Sequence, residues 1–155
     1  MNALTVGRVV PDFTLPSTAG EPFQLRAARG KPLVLYFYPR DNTPGCTHEG
    51  QDFQRLLPSF RRAGLRVCGV SRDGMVSHHR FCEKFAFGFE LLSDEDGRVC
   101  RIFDVIREKN MYGRKVMGIE RSTFLIDAAG KLRQEWRKLK VEGHAAQVLE
   151  AAKAL

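Results

Sequence analysis

Leu33 to Tyr38 is an unbroken run of aliphatic, β-branched and aromatic residues, bounded by Gly30-Lys31-Pro32 and Pro39. Such a run, with no polar alternation, predicts a strand buried on both faces. Beyond it the period changes. Phe53, Leu56, Leu57 and Phe60 fall at i, i+3, i+4 and i+7, which predicts a helix from Pro44 to about Phe60 with one face toward a core. Gly64 stops the connection, and Leu65–Ser71 predicts the next strand. Strand, helix and strand at this spacing make a right-handed crossover, so the two strands should be parallel.

The remaining segments are shorter. Val10–Pro16 predicts an alternating strand, Ser17–Gly20 a turn, and Phe23-Gln24-Leu25 a strand pairing back as a hairpin. Met75 to about Phe87 predicts a second helix carrying Cys82, followed by a short segment at Leu91-Leu92. Asp94–Gly97 is a turn and Arg98–Phe103 a short helix. Asp104–Glu120 is long, polar and marked by glycine, which predicts an excursion near a functional site. Ser122–Ile126 is a buried strand, Asp127–Gly130 a hairpin turn and Lys131–Trp136 the returning strand. Gly143–Leu155 is an amphipathic helix with Ala146, Val148, Leu149 and Ala152 on its apolar side. The order ββ, βαβα, ββα predicts an α/β protein with a thioredoxin-like fold: a central mixed sheet flanked by helices, with an N-terminal β extension.

The 155 residues are read as one domain, 1–155, long enough for a proper core. Met1–Arg8 has no apolar segment of a secretion signal, and no apolar run approaches membrane-spanning length. A cytoplasmic location is expected. The formal charge is +7, but the basic residues are scattered among acids, with no dense run beyond Arg61-Arg62 and residues 136–140. That pattern argues against a nucleic-acid partner and for solubility, or attraction to an acidic reductase. The four cysteines form no Cys-x-x-Cys, and neither they nor the four histidines show a metal-binding spacing. His48 is read as a surface residue. Phe81, Phe85, Phe87 and Phe89 are read as core.

The chemistry gathers after the first buried strand. Thr43-Pro44 predicts a helix start, with threonine at the N-cap and proline at N1. Cys46 is then N3, within the first turn. The free N–H groups and the positive end of the helix dipole favour a thiolate there. The Thr43 hydroxyl can reach back toward the sulfur. Glu49, at i+3 from Cys46, is read as orienting Arg121 or supporting the helix start.

Pro39, Thr43 and Cys46, spaced Pro-x-x-x-Thr-x-x-Cys, resemble the active-site motif of the peroxiredoxins. Tyr36-Phe37-Tyr38-Pro39 with Thr43-Pro44-Gly45-Cys46-Thr47 resembles the peroxiredoxin Q branch, also called bacterioferritin comigratory protein. The resemblance runs from Gly7-x-x-x-Pro11-Asp12-Phe13 to Arg121-Ser122-Thr123-Phe124-Leu125-Ile126-Asp127. It implies a thiol-dependent peroxidase acting on hydrogen peroxide and organic hydroperoxides, with no metal or cofactor. It also implies that Cys46 is the attacking thiol and that Arg121 is the active-site arginine. A guanidinium suits that role because it stabilises a thiolate without taking its proton. Pro39 would shield the site and stiffen the link.

Many members carry a resolving cysteine five positions after the first, but that position here is Gln51. Other members place it on the later helix, which implies Cys82, with Cys100 left as an alternative. Cys68 and Cys100 read as packing residues. The implied cycle ends in an intramolecular disulfide recycled by thioredoxin or glutaredoxin, in a monomer or weak homodimer. Three alternatives remain open from the residues: a one-cysteine peroxidase reduced directly by an external thiol, a thioredoxin-type disulfide oxidoreductase, and a non-enzymatic chaperone module. The second lacks its usual second thiol within the helix turn at Cys46-Thr47-His48-Glu49.

Overall fold

The computed structural model describes residues 4–155; Met1, Asn2 and Ala3, the start of the N-terminal segment discussed above, lie outside the described residues. Strand β1 (Thr14–Leu15) pairs antiparallel with β2 (Phe23–Gln24), giving the expected small hairpin. The strand predicted over Val10–Pro16 is confined to β1. The central sheet holds β3 (Leu33–Phe37), β4 (Arg66–Ser71), β5 (Glu90–Ser93), β8 (Ser122–Ile126) and β9 (Leu132–Arg137), in the order β5-β4-β3-β8-β9. The pairs β3·β4 and β4·β5 are parallel, while β3·β8 and β8·β9 are antiparallel. This mixed sheet is the thioredoxin-like arrangement expected from the element order.

The continuous apolar run of β3 has its cause in two covered faces. Leu33, Leu35 and Phe37 join one buried cluster with Phe13, Phe23, Cys68, Cys100 and Phe103. Val34, Tyr36 and Tyr38 join another with Cys46, Phe53, Phe60, Phe81 and Leu149. Helices α1 (Pro44–Arg62), α2 (Met75–Phe85) and α4 (His144–Lys153) supply the second cluster, and α3 (Arg98–Ile102) supplies the first. At the start of α4 it is Ala145 that is buried; the expected Ala146 is exposed, because the true stripe runs through Ala145, Val148, Leu149 and Ala152.

Residues 104–120 are not an irregular loop. They form a hairpin of β6 (Ile106–Met111) and β7 (Arg114–Ile119). Tyr112 and Gly113 both have positive φ at its tip, 52° and 79°. Most of its residues are exposed, so neither face shows the apolar alternation that marks a half-buried strand. Helix α2 ends at Phe85, earlier than the predicted Phe87, because Ala86 turns into the left-handed region. Among the described residues no helix is long and apolar enough to cross a membrane.

Candidate active site

The site forms where β3 gives way to α1. Tyr38 still donates its N–H to Val70 O, and half-buried Pro39 then ends the pairing. Thr43 is the N-cap and Pro44 opens the helix. The Thr43 hydroxyl donates to Arg40 O at 2.9 Å and makes no side-chain cap bond. The expected reach back toward the sulfur is therefore absent, because the hydroxyl hydrogen is committed to the linker in front of the helix. The first helical bond is instead the N–H of Thr47 to Thr43 O, 2.8 Å.

Cys46 is 2% exposed. Arg121, at the entrance of β8, lays its guanidinium across the first turn of α1. Its Nη2 donates to Cys46 Sγ at 3.4 Å and its Nη1 to Glu49 Oε1 at 2.6 Å. Gly45 makes this approach possible, since a Cβ there would stand 3.1 Å from Nη2. Cys46 and Glu49, three residues apart on one helix, thus present adjacent acceptors that a planar fork can span. Of the two readings for Glu49, orientation of Arg121 is the one the geometry realises.

Glu49 is buried, and its Oε2 has no hydrogen-bond partner among the described residues. Burial pushes its carboxyl up from 4.5 to about 7, against the opposing pull of Arg121. His144 lies nearby on α4, with Nε2 2.8 Å from Thr123 Oγ1, and burial pulls it down from 6.5 to about 4. The two act on stability with opposite sign. Folded Glu49 keeps a proton that the unfolded chain loses, so its contribution is full below 4.5 and fades as pH rises through 7. Folded His144 resists a proton that the unfolded chain accepts, so its contribution is full above 6.5 and fades as pH falls through 4. Between 4.5 and 6.5 they offset one another. Glu49→Gln leaves only the histidine, so denaturant midpoints should fall more steeply on acidification across that window than in wild type. Equal slopes would contradict the assignment.

Two further groups had no local sequence signal. Lys109 of β6 donates its amine to Ile119 O, and its stem lies on Gly118. Burial, and then the Arg121 charge, lower its ammonium from the ordinary value. Through this side chain the hairpin reaches the backbone two residues ahead of Arg121. Asp41, Asp73 and His78 also meet, their ligand-type atoms all within 4.8 Å, although their sequence spacing resembles no metal motif. Protein donors already occupy these oxygens. Asp41 Oδ1 accepts from Tyr38 (2.6 Å) and Oδ2 from Ser77 (2.8 Å); Asp73 Oδ2 accepts from Ser71 (2.6 Å) and the Asp41 N–H (2.8 Å). The cluster is a hydrogen-bond hub in the linker.

The other cysteines divide by face. Cys68 and Cys100 are fully buried in the cluster on the far side of the sheet, and burial pushes both thiols well up. Half-buried Cys82 packs against the Cys46 cluster and makes a long contact, 3.8 Å, to Thr18 Oγ1. Burial raises its thiol too. His48 is exposed, with Nε2 3.4 Å from Asp52, as a surface residue should be. Phe81 and Phe89 are buried, and Phe85 and Phe87 are partly so.

A model of the AhpC/TSA family matches residues 6–135. Peroxiredoxin Bcp of Xanthomonas campestris pv. campestris is 57% identical over 143 residues, 92% of this chain and 89% of its own. Peroxiredoxin Bcp of Bacillus subtilis is 44% identical over 150 residues, 97% of this chain and 96% of its own. The solved structure of Xanthomonas campestris peroxiredoxin Q superposes with a TM-score of 0.90 at 54% identity, covering 97% of this chain and 96% of the other. A trapped intermediate/ligand complex of the bacterioferritin comigratory protein from the same organism, bearing on alkyl peroxide reduction, gives 0.90 at 53% with the same coverage.

Proposed function

This chain belongs to the AhpC/TSA family, in its peroxiredoxin Q or Bcp branch, and on that premise we propose that Cys46 performs its thiol-dependent peroxidase reaction, with Thr43, Arg121, Pro39 and Cys82 as the other working residues. The observation that carries this assignment is the Arg121 fork, one nitrogen on Sγ and the other anchored by a buried carboxylate.

The Cys46 thiolate attacks one oxygen of the hydroperoxide and the O–O bond breaks. The other oxygen leaves, takes a proton and departs as water or an alcohol, and Cys46 becomes a sulfenic acid. Arg121 and the Cys46 N–H, unpaired at the helix start, donate to the oxygen where charge develops. Thr43 plays the complementary part. With its hydrogen on Arg40 O, its lone pairs accept the O–H of the hydroperoxide. Pro39 shields the link.

Cys82 then condenses with the sulfenic acid, releasing water, in an atypical two-cysteine cycle. What supports Cys82 over Cys100 is its side of the sheet and its partial exposure. The two thiols sit on separate packed helices, and a disulfide needs Cα atoms within about 7 Å. Bond formation therefore requires the turn Pro44–Glu49 to unwind, and part of α2 with it. Thioredoxin, or a glutaredoxin, reduces the product by thiol–disulfide exchange. The enzyme works in the cytoplasm as one domain over residues 1–155, a monomer or weak homodimer, with no nucleic-acid or membrane partner.

Peptide mapping after one equivalent of hydrogen peroxide is expected to show a Cys46–Cys82 link within one chain. Cys82→Ser should lose it. As much intramolecular disulfide in Cys82→Ser as in wild type would pass the role to Cys100 or Cys68.

A further inference from the structure

We infer that Asp41 and His78 are positioning residues that lock the linker in front of Cys46 to the helix bearing Cys82, so that both thiol segments are released together. The inference rests on Cys82 as the resolving thiol. Asp41 lies two residues before Thr43, and His78 lies one helical turn before Cys82. One buried carboxylate joins them: Asp41 Oδ2 is 2.7 Å from His78 Nδ1 and accepts from Ser77 at 2.8 Å. His78 is fully buried, and its Nε2 donates to Leu92 O of β5 at 2.9 Å. The Asp41 N–H is held by Asp73, just ahead of α2, and Lys84 of α2 donates to Asn42 Oδ1 at 3.2 Å. Asn42 is itself held at φ 59°, a conformation that asparagine tolerates only locally. The linker is thus gripped at three places, two from α2 and one from Asp73 just ahead of it. Withdrawing the start of α2 strips Asp41 Oδ2 of its donors and leaves only Tyr38 on Oδ1, and withdrawing the linker strips His78 Nδ1 and Ser77 of their acceptor. Buried polar groups left unpaired are costly, so partial release is disfavoured and the two segments move as a unit.

This lock bears on the fate of the sulfenic acid. In the released state Cys82 attacks it, forming the disulfide and water. In the locked state a second hydroperoxide can oxidise it to the sulfinic acid, leaving water or an alcohol. The hub sets the ratio of these outcomes.

His78→Gln weakens the lock. Under turnover with dithiothreitol, sulfinic acid at Cys46 is read by intact mass over a range of hydrogen peroxide concentrations. The concentration that inactivates half the enzyme is expected to rise by roughly threefold or more. Ser77→Ala, a milder change, should shift it the same way by less. Adding Asp41→Asn to His78→Gln should change little further, since the two act as one unit. Val99→Ala is the control: it opens a cavity on the far face of the sheet and should lower thermal stability while leaving the ratio at the wild-type value. A wild-type ratio in His78→Gln and Ser77→Ala, with the Cys46–Cys82 link intact, overturns this inference alone. A disulfide that leaves out Cys82 overturns it together with the resolving role.

Discussion

Cys46→Ser should abolish peroxide turnover and leave the fold intact. A serine hydroxyl is protonated at neutral pH and is a poor nucleophile without a base to activate it. The neighbours of Cys46 supply a cation and a carboxylate that is tied to that cation, so none is placed as a base. Loss of roughly three orders of magnitude or more in kcat/KM is expected. Cys68 and Cys100 cannot substitute, because they are sealed in the opposite core and held protonated by burial. The exchange is nearly isosteric, so far-UV circular dichroism and the melting temperature should stay close to wild type. Turnover above about a tenth of wild type would contradict the assignment of the nucleophile.

Arg121→Lys should cost about tenfold or more in kcat/KM although the charge is kept. An ammonium is a point charge. It can sit on Glu49 or on the sulfur, whereas the guanidinium spans both, at 2.6 and 3.4 Å. A lysine drawn to the buried carboxylate leaves the developing oxygen charge without its donor. A lysine drawn to the sulfur leaves Glu49, buried and with one oxygen already unpartnered, without any partner. In either case stability should also drop, by about 1–3 kcal/mol. Steady-state kinetics with saturating reductant and thermal melts test both parts. Wild-type kinetics in Arg121→Lys would remove the fork from the mechanism.

Much of this molecule could be read locally. The β3 run is apolar without alternation because its neighbours cover both faces, and that signature needs no knowledge of the rest of the chain. The α1 stripe and its threonine–proline start are local as well, so the sequence alone places Cys46 in the first turn. The partnership of Arg121 with this turn was legible only through the family resemblance, since Gly45, Cys46 and Glu49 are remote from it in sequence. Other features leave no local trace. The hairpin of β6 and β7 stands mostly in solvent, so its residues obey no burial period, and a Tyr112-Gly113 tip is a weaker turn signal than Asn-Gly. The Thr43 hydroxyl satisfies a carbonyl before the helix instead of an N–H within it, a choice set by the linker's path. The hub of Asp41, Ser77 and His78 exists only because the crossover brings the start of α2 over the end of β3. No spacing rule links an aspartate in one connection to a histidine in the next helix.

The most direct measurement locates the sulfur that peroxide strikes first. Cys82→Ser, which cannot close the proposed disulfide, is treated with one equivalent of hydrogen peroxide in the presence of a sulfenic-acid trap, and its peptides are read by mass. An adduct on the Cys46 peptide alone is the expected result. An adduct on Cys68 or Cys100 with Cys46 unmodified would contradict it.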